Sequence, residues 1–148
     1  MSFTRSLVSV MAAALATVGI AIGSTRSVQT VPEGMPCSNR TLRGDYGFSL
    51  TGHAGVTEIL AVGIGSFDGH GRFELRDTLK IVGGPVLPRT ISGTYEIAAD
   101  CRGTAVFHAP PPFDVDIHLQ LVLVNHGREA YFIQVSPDGF FQGTAKLQ

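Results

Sequence analysis

Strict alternation of apolar and other residues is the feature that most constrains this chain. Between residues 113 and 123 one face collects only apolar side chains, namely Phe113, Val115, Ile117, Leu119, Leu121 and Leu123. In the run from 72 to 81, Phe73, Leu75, Leu79 and Ile81 share one face with a single acidic residue, Asp77, and alternate with mainly charged residues. A helix would scatter both sets around its axis, so each run predicts a strand with one buried face.

Turn sequences divide the rest of the chain at regular intervals. Glycine is abundant, at 18 of 148 residues, and recurs in turns at 67–71, 100–103, 125–127 and 136–139. These turns leave eight predicted strands at 45–52, 56–67, 72–82, 88–98, 103–109, 113–124, 128–136 and 139–147. Eight sequential strands form an antiparallel up-and-down meander, which loses its edges by closing into a small barrel. A β-sandwich is the alternative, because the sequence does not reveal strand order.

The N-terminus has the organisation of a signal peptide. Arg5 precedes an uncharged run from 7 to 23, and Ala21 and Gly23 put small residues before a cut at Ser24. A spanning helix is the alternative, although 17 residues fall short of the roughly 20 that cross a bilayer. We expect residues 1–23 to be removed, 24–36 to form a flexible leader, and 37–148 to form one β-domain. The product would be exported, periplasmic or secreted, with no membrane span after cleavage.

Export determines how the two cysteines, Cys37 and Cys101, are interpreted. In an oxidising compartment an even number predicts a disulfide bond. The bridge would close a loop of 65 residues, counting both ends, and stabilise the fold by on the order of 4 kcal/mol on the chain-entropy model. Neither cysteine belongs to a CxxC motif, which argues against a zinc or thioredoxin-type site.

Several short signatures occur together in the predicted domain. They are Cys37-Ser38-Asn39, Tyr46-Gly47-Phe48, Phe67-Asp68-Gly69-x-Gly71, Gly93-Thr94-Tyr95, Cys101-x-Gly103-Thr104, Asp138-Gly139 and Gly143. With them, residues 37 to about 147 resemble a group of small exported bacterial proteins of unknown function. The shape of that group is similar to lipocalin-like or allene-oxide-cyclase-like barrels. The resemblance implies a fold and no chemistry, since no catalytic motif of those barrels matches.

Asp77 is the most informative candidate for a site, because it is in phase with the apolar residues of its strand and should point inward. Desolvation raises the pKa of a carboxyl group in an apolar lumen, which suits an acid, a base or a polar ligand contact. The structural alternatives are a carboxylate satisfied by an arginine, a tyrosine or backbone N–H groups, and a bulge that turns it outward. Tyr95 and Tyr46 are the aromatic candidates for polar contacts to a lumen ligand.

The second predicted strand allows two registers. If Phe67 faces inward, the three aliphatic residues Leu60, Val62 and Ile64 face outward with Glu58, and they predict a contact between subunits of a homo-oligomer. In the opposite register Glu58 would join Asp77 in the lumen as a paired carboxylate.

Asp114, Asp116 and His118 alternate on one strand face, as metal ligands would if a neighbouring strand added another. A solvated strand face has the same pattern, so we assign neither a metal nor a cofactor. A net charge of −1 without a basic cluster argues against nucleic-acid binding. Serine-hydrolase, P-loop and dinucleotide-binding motifs are absent from the sequence.

The sequence therefore predicts a barrel that binds a small apolar or amphipathic molecule in its lumen. Two alternatives stay open. One is a structural, envelope-associated interaction module without a pocket. The other is a barrel isomerase or cyclase that uses Asp77 as acid or base.

Overall fold

The computed structural model describes residues 34–137 and 139–148. The predicted signal peptide and most of the predicted leader lie outside this part of the chain, so both assignments stay predictions. Residues 34–36 are exposed and have no regular structure. No helix among the described residues is long and apolar enough to cross a membrane.

Eight strands follow one another along the chain, as the turn pattern predicts. They are β1 (Arg43–Ala54), β2 (Thr57–Asp68), β3 (Arg72–Ile81), β4 (Val86–Ile97), β5 (Arg102–Ala109), β6 (Val115–Val124), β7 (Glu129–Ser136) and β8 (Phe140–Leu147). Every boundary lies within two residues of the predicted one. The boundary difference that matters most is at β6, which begins at Val115 and not at the predicted residue 113. Asp114 therefore lies before the strand, and its backbone has a positive φ of 52°.

The strands form one closed antiparallel barrel in sequence order. Closure comes from β1, which pairs with β2 on one side and with β8 on the other, from Tyr46 opposite Leu147 to His53 opposite Phe140. Every strand thus has two neighbours and no edge is exposed. The barrel prediction is confirmed, and the sandwich alternative is excluded.

Alternate side chains of each strand fill the interior. The predicted inward faces of β3 and β6 are confirmed, with Phe73, Leu79, Ile117, Leu119, Leu121 and Leu123 all buried. The β2 register is the one with Phe67 packed against the core, so Leu60, Val62 and Ile64 face outward. The opposite register is wrong. Glu58 is exposed opposite His53 and does not share the lumen with Asp77.

The two ends of the barrel differ. At the closed end the segment before β1 packs against the β4–β5 connection, where Cys37 N donates to the Ala99 carbonyl, and its Leu42 is buried in the core. The predicted disulfide between Cys37 and Cys101 is confirmed, with a Cα–Cα distance of 5.0 Å. Cys101 lies in the turn before β5, so the bridge fastens this segment to the middle of the meander. At the open end lie four connections, β1–β2, β3–β4, β5–β6 and β7–β8. These four connections are short, at two to five residues each.

Candidate site in the open end of the lumen

The open end of the barrel contains a cavity of about 210 Å³. All eight strands and three of the four connections contribute to its wall. The wall is mainly apolar, with Leu50, Ala54, Ile59, Leu79, Phe107, Ala109, Phe113, Val115, Ile117 and Phe141. Among the described residues, three side chains bring polar atoms to it, those of His53, Arg89 and Gln134. An apolar concave wall with a few polar groups is typical of a small-molecule site.

Arg89 lies at the lower boundary of this cavity, since it lines both the cavity and a smaller void beneath it. Its partner Asp77 lines that void, and the pair is the polar floor that separates the two spaces. The two residues lie opposite each other on β3 and β4. Arg89 Nε donates to Asp77 Oδ1 at 2.9 Å, and Arg89 Nη2 donates to Asp77 Oδ2. The carboxylate is 1% exposed and the guanidinium side chain 11%. This bidentate pair compensates two charges in a largely apolar interior, which is the condition under which buried charges are tolerated.

Asp77 therefore points inward, as its phase in β3 predicts, and an arginine satisfies it. This is one of the structural alternatives to a free acid or base. Its role toward a ligand stays a prediction. The position owes its space to Gly63, which lies opposite Asp77 on β2. A Cβ atom at residue 63 would clash with the Arg76 carbonyl oxygen and stand 2.6 Å from Asp77 Cβ.

Below the ion pair the lumen is nearly filled. The remaining void is about 60 Å³, with walls that include Leu42, Tyr46, Phe73 and Leu121. Phe67 packs here against Tyr46 and Tyr95, with ring centroids 5.4 Å apart in both pairs. The lumen is thus divided into a densely packed lower half and a hollow upper half, with the ion pair between them.

Tyr46 and Tyr95 belong to the lower half. Tyr46 Oη donates to the Gly127 carbonyl. Tyr95 Oη donates to the Leu42 carbonyl at 2.7 Å and accepts from the Gly69 amide at 2.9 Å. Burial raises the pKa of both phenols. These bonds fix the closed end, and neither tyrosine lines the cavity at the open end, so their predicted contact with a ligand stays a prediction.

Gln134 and Arg89 are the cavity residues that sequence reasoning missed. Gln134 is buried on β7 and donates from Nε2 to the Pro137 carbonyl at 3.1 Å. The alternation of inward and outward residues along each strand could have identified both as inward-facing. Arg89 shares its parity with the buried residues Ile91 and Tyr95 of β4, and Gln134 shares its parity with Ala130 of β7. The signal is a long polar side chain on a strand face that is otherwise mainly apolar.

The acidic and histidine residues at the β5–β6 turn form a surface cluster. His108 Nδ1 lies 2.9 Å from Asp116 Oδ1, and His108 Nε2 lies 3.1 Å from Asp114 Oδ1. Asp116 and His118 are exposed, as expected for a solvated strand face. Within 34–137 and 139–148, no three His, Cys, Asp or Glu side chains are arranged to hold a metal ion.

Comparisons with known proteins concern the fold. No protein-family model matches the chain, and no curated protein matches it either. Among solved structures, a redesigned β-barrel bound to DFHBI is similar, with a TM-score of 0.56, 16% identity, and coverage of 73% of this chain and 96% of that chain. A de novo designed fluorescence-activating β-barrel is similar with a TM-score of 0.53, 15% identity, and coverage of 74% and 96%.

Identities this low show a shared fold alone. Fold and cavity together define the class: a small, disulfide-bonded, eight-stranded up-and-down β-barrel with a lumen that is hollow at one end.

Proposed function

We propose that this protein binds a small apolar or amphipathic molecule in the open end of its lumen. The observation that carries the proposal is the cavity above the ion pair of Asp77 and Arg89, with apolar walls and a polar floor. Solid packing continues on the other side of the pair, which limits the ligand to the upper half. The similar redesigned β-barrel is bound to DFHBI, which supports the idea that a barrel of this fold can bind a ligand.

Arg89 supplies the main polar contact in this proposal. A guanidinium group has five N–H donors, and the two bonds to Asp77 leave others for an acceptor atom in the cavity. Gln134 is a second polar contact on the opposite wall. Asp77 does not contact the ligand in this proposal, because both of its oxygens are already bonded to the guanidinium. Its role is to hold Arg89 in position. For the same reason an acid–base role in an isomerase or cyclase would require the ion pair to open.

The proposal includes export of the protein and a lipocalin-like role, in which the barrel carries or sequesters its ligand. A disulfide that joins residues 64 positions apart in sequence suits an oxidising compartment, where the predicted signal peptide would direct the chain. The bridge leaves the open end unobstructed because it lies at the other end of the barrel. A carrier or scavenger outside the cytoplasm needs this combination of a durable fold and an accessible lumen.

The test is binding of prodan, an uncharged naphthalene ketone whose emission shifts to the blue in apolar surroundings. We expect saturable binding with a blue shift. Val115→Trp places an indole in the cavity wall and should weaken binding at least about tenfold, since it removes the space that the dye needs. Val122→Trp, on the outer surface of the same strand, is the matched control and should leave the affinity unchanged. Equal effects of the two variants, or no saturable binding, would reject the proposal.

A second candidate function is self-association through the outer surface. Two rows of outward residues run across five strands without a charged side chain; this uncharged outer face comprises Leu60, Val62, Ser49, Thr51, Gln142, Thr144, Tyr131, Ile133, Gln120 and Val122. Leu60, Val62, Tyr131, Ile133 and Val122 on it are exposed. Two copies could bring such faces together about a two-fold axis without burying an unpaired charge.

Sedimentation velocity tests this candidate. We expect a dimer that Val62→Asp converts to a monomer. Val86→Asp is the matched control, because Val86 is similarly exposed (56% against 62%) but lies outside the uncharged outer face. A monomeric wild type at high protein concentration would reject the candidate and leave the lumen proposal untouched.

A further inference from the structure

The charges inside the barrel sum to zero. Among the described residues that line the cavity and the void beneath it, Asp77 is the only acidic side chain and Arg89 the only basic one, apart from His53. His53 lies near the end of β1, where it is exposed to solvent. The interior therefore contains one anion and one cation, each compensated by the other.

This balance decides which ligands the cavity can accept. A carboxylate that entered beside Arg89 would be the second anion on one cation, and a net negative charge would be left in a poorly hydrated space. A neutral carbonyl or ether oxygen can accept from the spare N–H groups of Arg89 without adding charge. Hydrogen bonds from a charged donor are stronger than those between neutral groups, so a single acceptor atom suffices to orient the ligand.

We propose that the lumen selects uncharged ligands with a hydrogen-bond acceptor over the corresponding anions, and that Asp77 sets this selectivity through Arg89. The inference rests on the proposed function, because it concerns the same cavity. It goes further by assigning a ligand class and by giving Asp77 a role that a purely structural ion pair would not have.

The size of the cavity narrows the class. Typical drug-sized ligand pockets begin at roughly 300 Å³, whereas an apolar protein cavity of about 150 Å³ accommodates benzene. At about 210 Å³ the cavity encloses one substituted aromatic ring or a short branched chain, and a longer molecule such as prodan would extend through the open end of the barrel. Phe107, Phe113 and Phe141 provide aromatic surface for such a ring. An aromatic amide or ketone fits these requirements.

Benzamide and benzoate provide the matched pair of probes, since they have nearly the same shape and differ in charge. Binding is measured by NMR titration of the wild-type protein, with the Arg89 Nε–Hε resonance reporting the polar contact. We expect benzamide to bind at least about tenfold more tightly than benzoate and to shift the Arg89 resonance. The preference should be the same in His118→Gln, because this exposed imidazole lies on the outer surface of β6 and does not line the cavity.

Asp77→Asn tests the assigned role, because it leaves Arg89 with an uncompensated positive charge. We expect the preference to reverse, with benzoate at least about tenfold tighter than benzamide. Should this variant not fold, Asp77→Asn combined with Arg89→Gln returns the floor to zero charge. That double variant should still exclude benzoate, but it should lose the Arg89 contact and bind benzamide more weakly.

The outcomes separate the two proposals. Equal or tighter binding of benzoate to the wild type would overturn the selectivity and leave lumen binding in place. An unchanged preference in a folded Asp77→Asn protein would overturn the role of Asp77. If neither probe binds and prodan does not bind, the proposed function itself fails.

Discussion

Arg89 lies directly opposite Asp77 on the neighbouring strand, and its guanidinium group donates to both oxygens of the Asp77 carboxylate. The pair marks the level at which the lumen changes from a filled core to an open cavity. It therefore has a structural role and is also the polar feature that a ligand would meet. Replacements that separate these two roles are the most informative.

Removing one partner of the ion pair should lower the free energy of unfolding substantially. Arg89→Met leaves a buried carboxylate uncompensated, and we expect a loss of about 3–5 kcal/mol in the free energy of unfolding. Asp77→Leu combined with Arg89→Met replaces both charges by apolar groups and should cost much less than either single change. Urea denaturation of the three variants gives the double-mutant cycle. Additive losses would show that the two side chains do not depend on each other.

Gly63→Ala should disturb the ion pair from the adjacent strand. The added methyl group meets the Arg76 carbonyl oxygen and Asp77 Cβ at distances that no real contact has, so β2 or Asp77 must move. We expect a loss of about 1–3 kcal/mol in unfolding free energy, as for other overpacked sites. Gly34→Ala is the control, since a methyl group at residue 34 would have no other atom within 4 Å. A neutral Gly63→Ala would contradict the tight packing of Gly63 against Asp77.

Loss of the disulfide should weaken the closed end without blocking the cavity. Replacing Cys37 and Cys101 together by serine should lower the unfolding free energy by about 2–5 kcal/mol, the usual range for a native bridge in a small domain. Prodan affinity of the folded fraction should stay within about twofold of the wild type, because the bridge lies at the other end of the barrel. Thermal unfolding and dye titration measure the two effects. A large loss of affinity with little loss of stability would assign the bridge to the site.

Tyr95→Phe distinguishes a structural tyrosine from a ligand contact. Its hydroxyl group bonds to Leu42 and Gly69, so its removal leaves a carbonyl and an amide without their partner. We expect destabilisation by about 1–3 kcal/mol and unchanged affinity for prodan. Tyr95 would instead be a ligand contact, as the sequence suggests, if affinity fell while stability was retained.

The histidine on β5 should make stability depend on pH. Hydrogen bonds to Asp116 and then to Asp114 raise the pKa of His108 above its ordinary value of 6.5. The folded state thus binds the proton more tightly than the unfolded chain. The resulting stabilisation is fully present below pH 6.5 and is lost as the pH rises through the higher pKa of the folded state.

Urea midpoints of the wild type and His108→Gln, measured from about pH 5.5 to 9, test this sign. The wild type should be the more stable at low pH, and the difference should shrink as the pH rises. His118→Gln, on the exposed face of the adjacent strand, is the control for the removal of an exposed imidazole. A difference that grows with pH would contradict the assignment.

Much of the fold can be predicted from the sequence because a closed meander repeats one simple rule. Residues such as Leu119 and Leu121 alternate strictly, and the glycine turns separate one alternating run from the next. The same rule places Asp77 inside the barrel. It puts Asp114 on the wrong element, because the left-handed backbone conformation of this residue belongs to the turn and alternation carries no information about φ.

The candidate site is harder to predict than the fold. Phase places Asp77 in the lumen, but its partner Arg89 depends on the register between β3 and β4, which is a relation between strands. The division of the lumen into filled and hollow halves depends on where Tyr46 and Tyr95 find backbone partners across the closed end. Such contacts join residues far apart in sequence, and no local pattern encodes them.

A crystal structure with 4-bromobenzamide tests the central claim most directly, because the bromine atom is located by its anomalous signal. We predict one bromine site in the cavity near Phe107 and Phe113, with the amide oxygen within hydrogen-bond distance of Arg89. Bromine found only on the outer surface, or an empty cavity at saturating ligand, would contradict binding in the lumen.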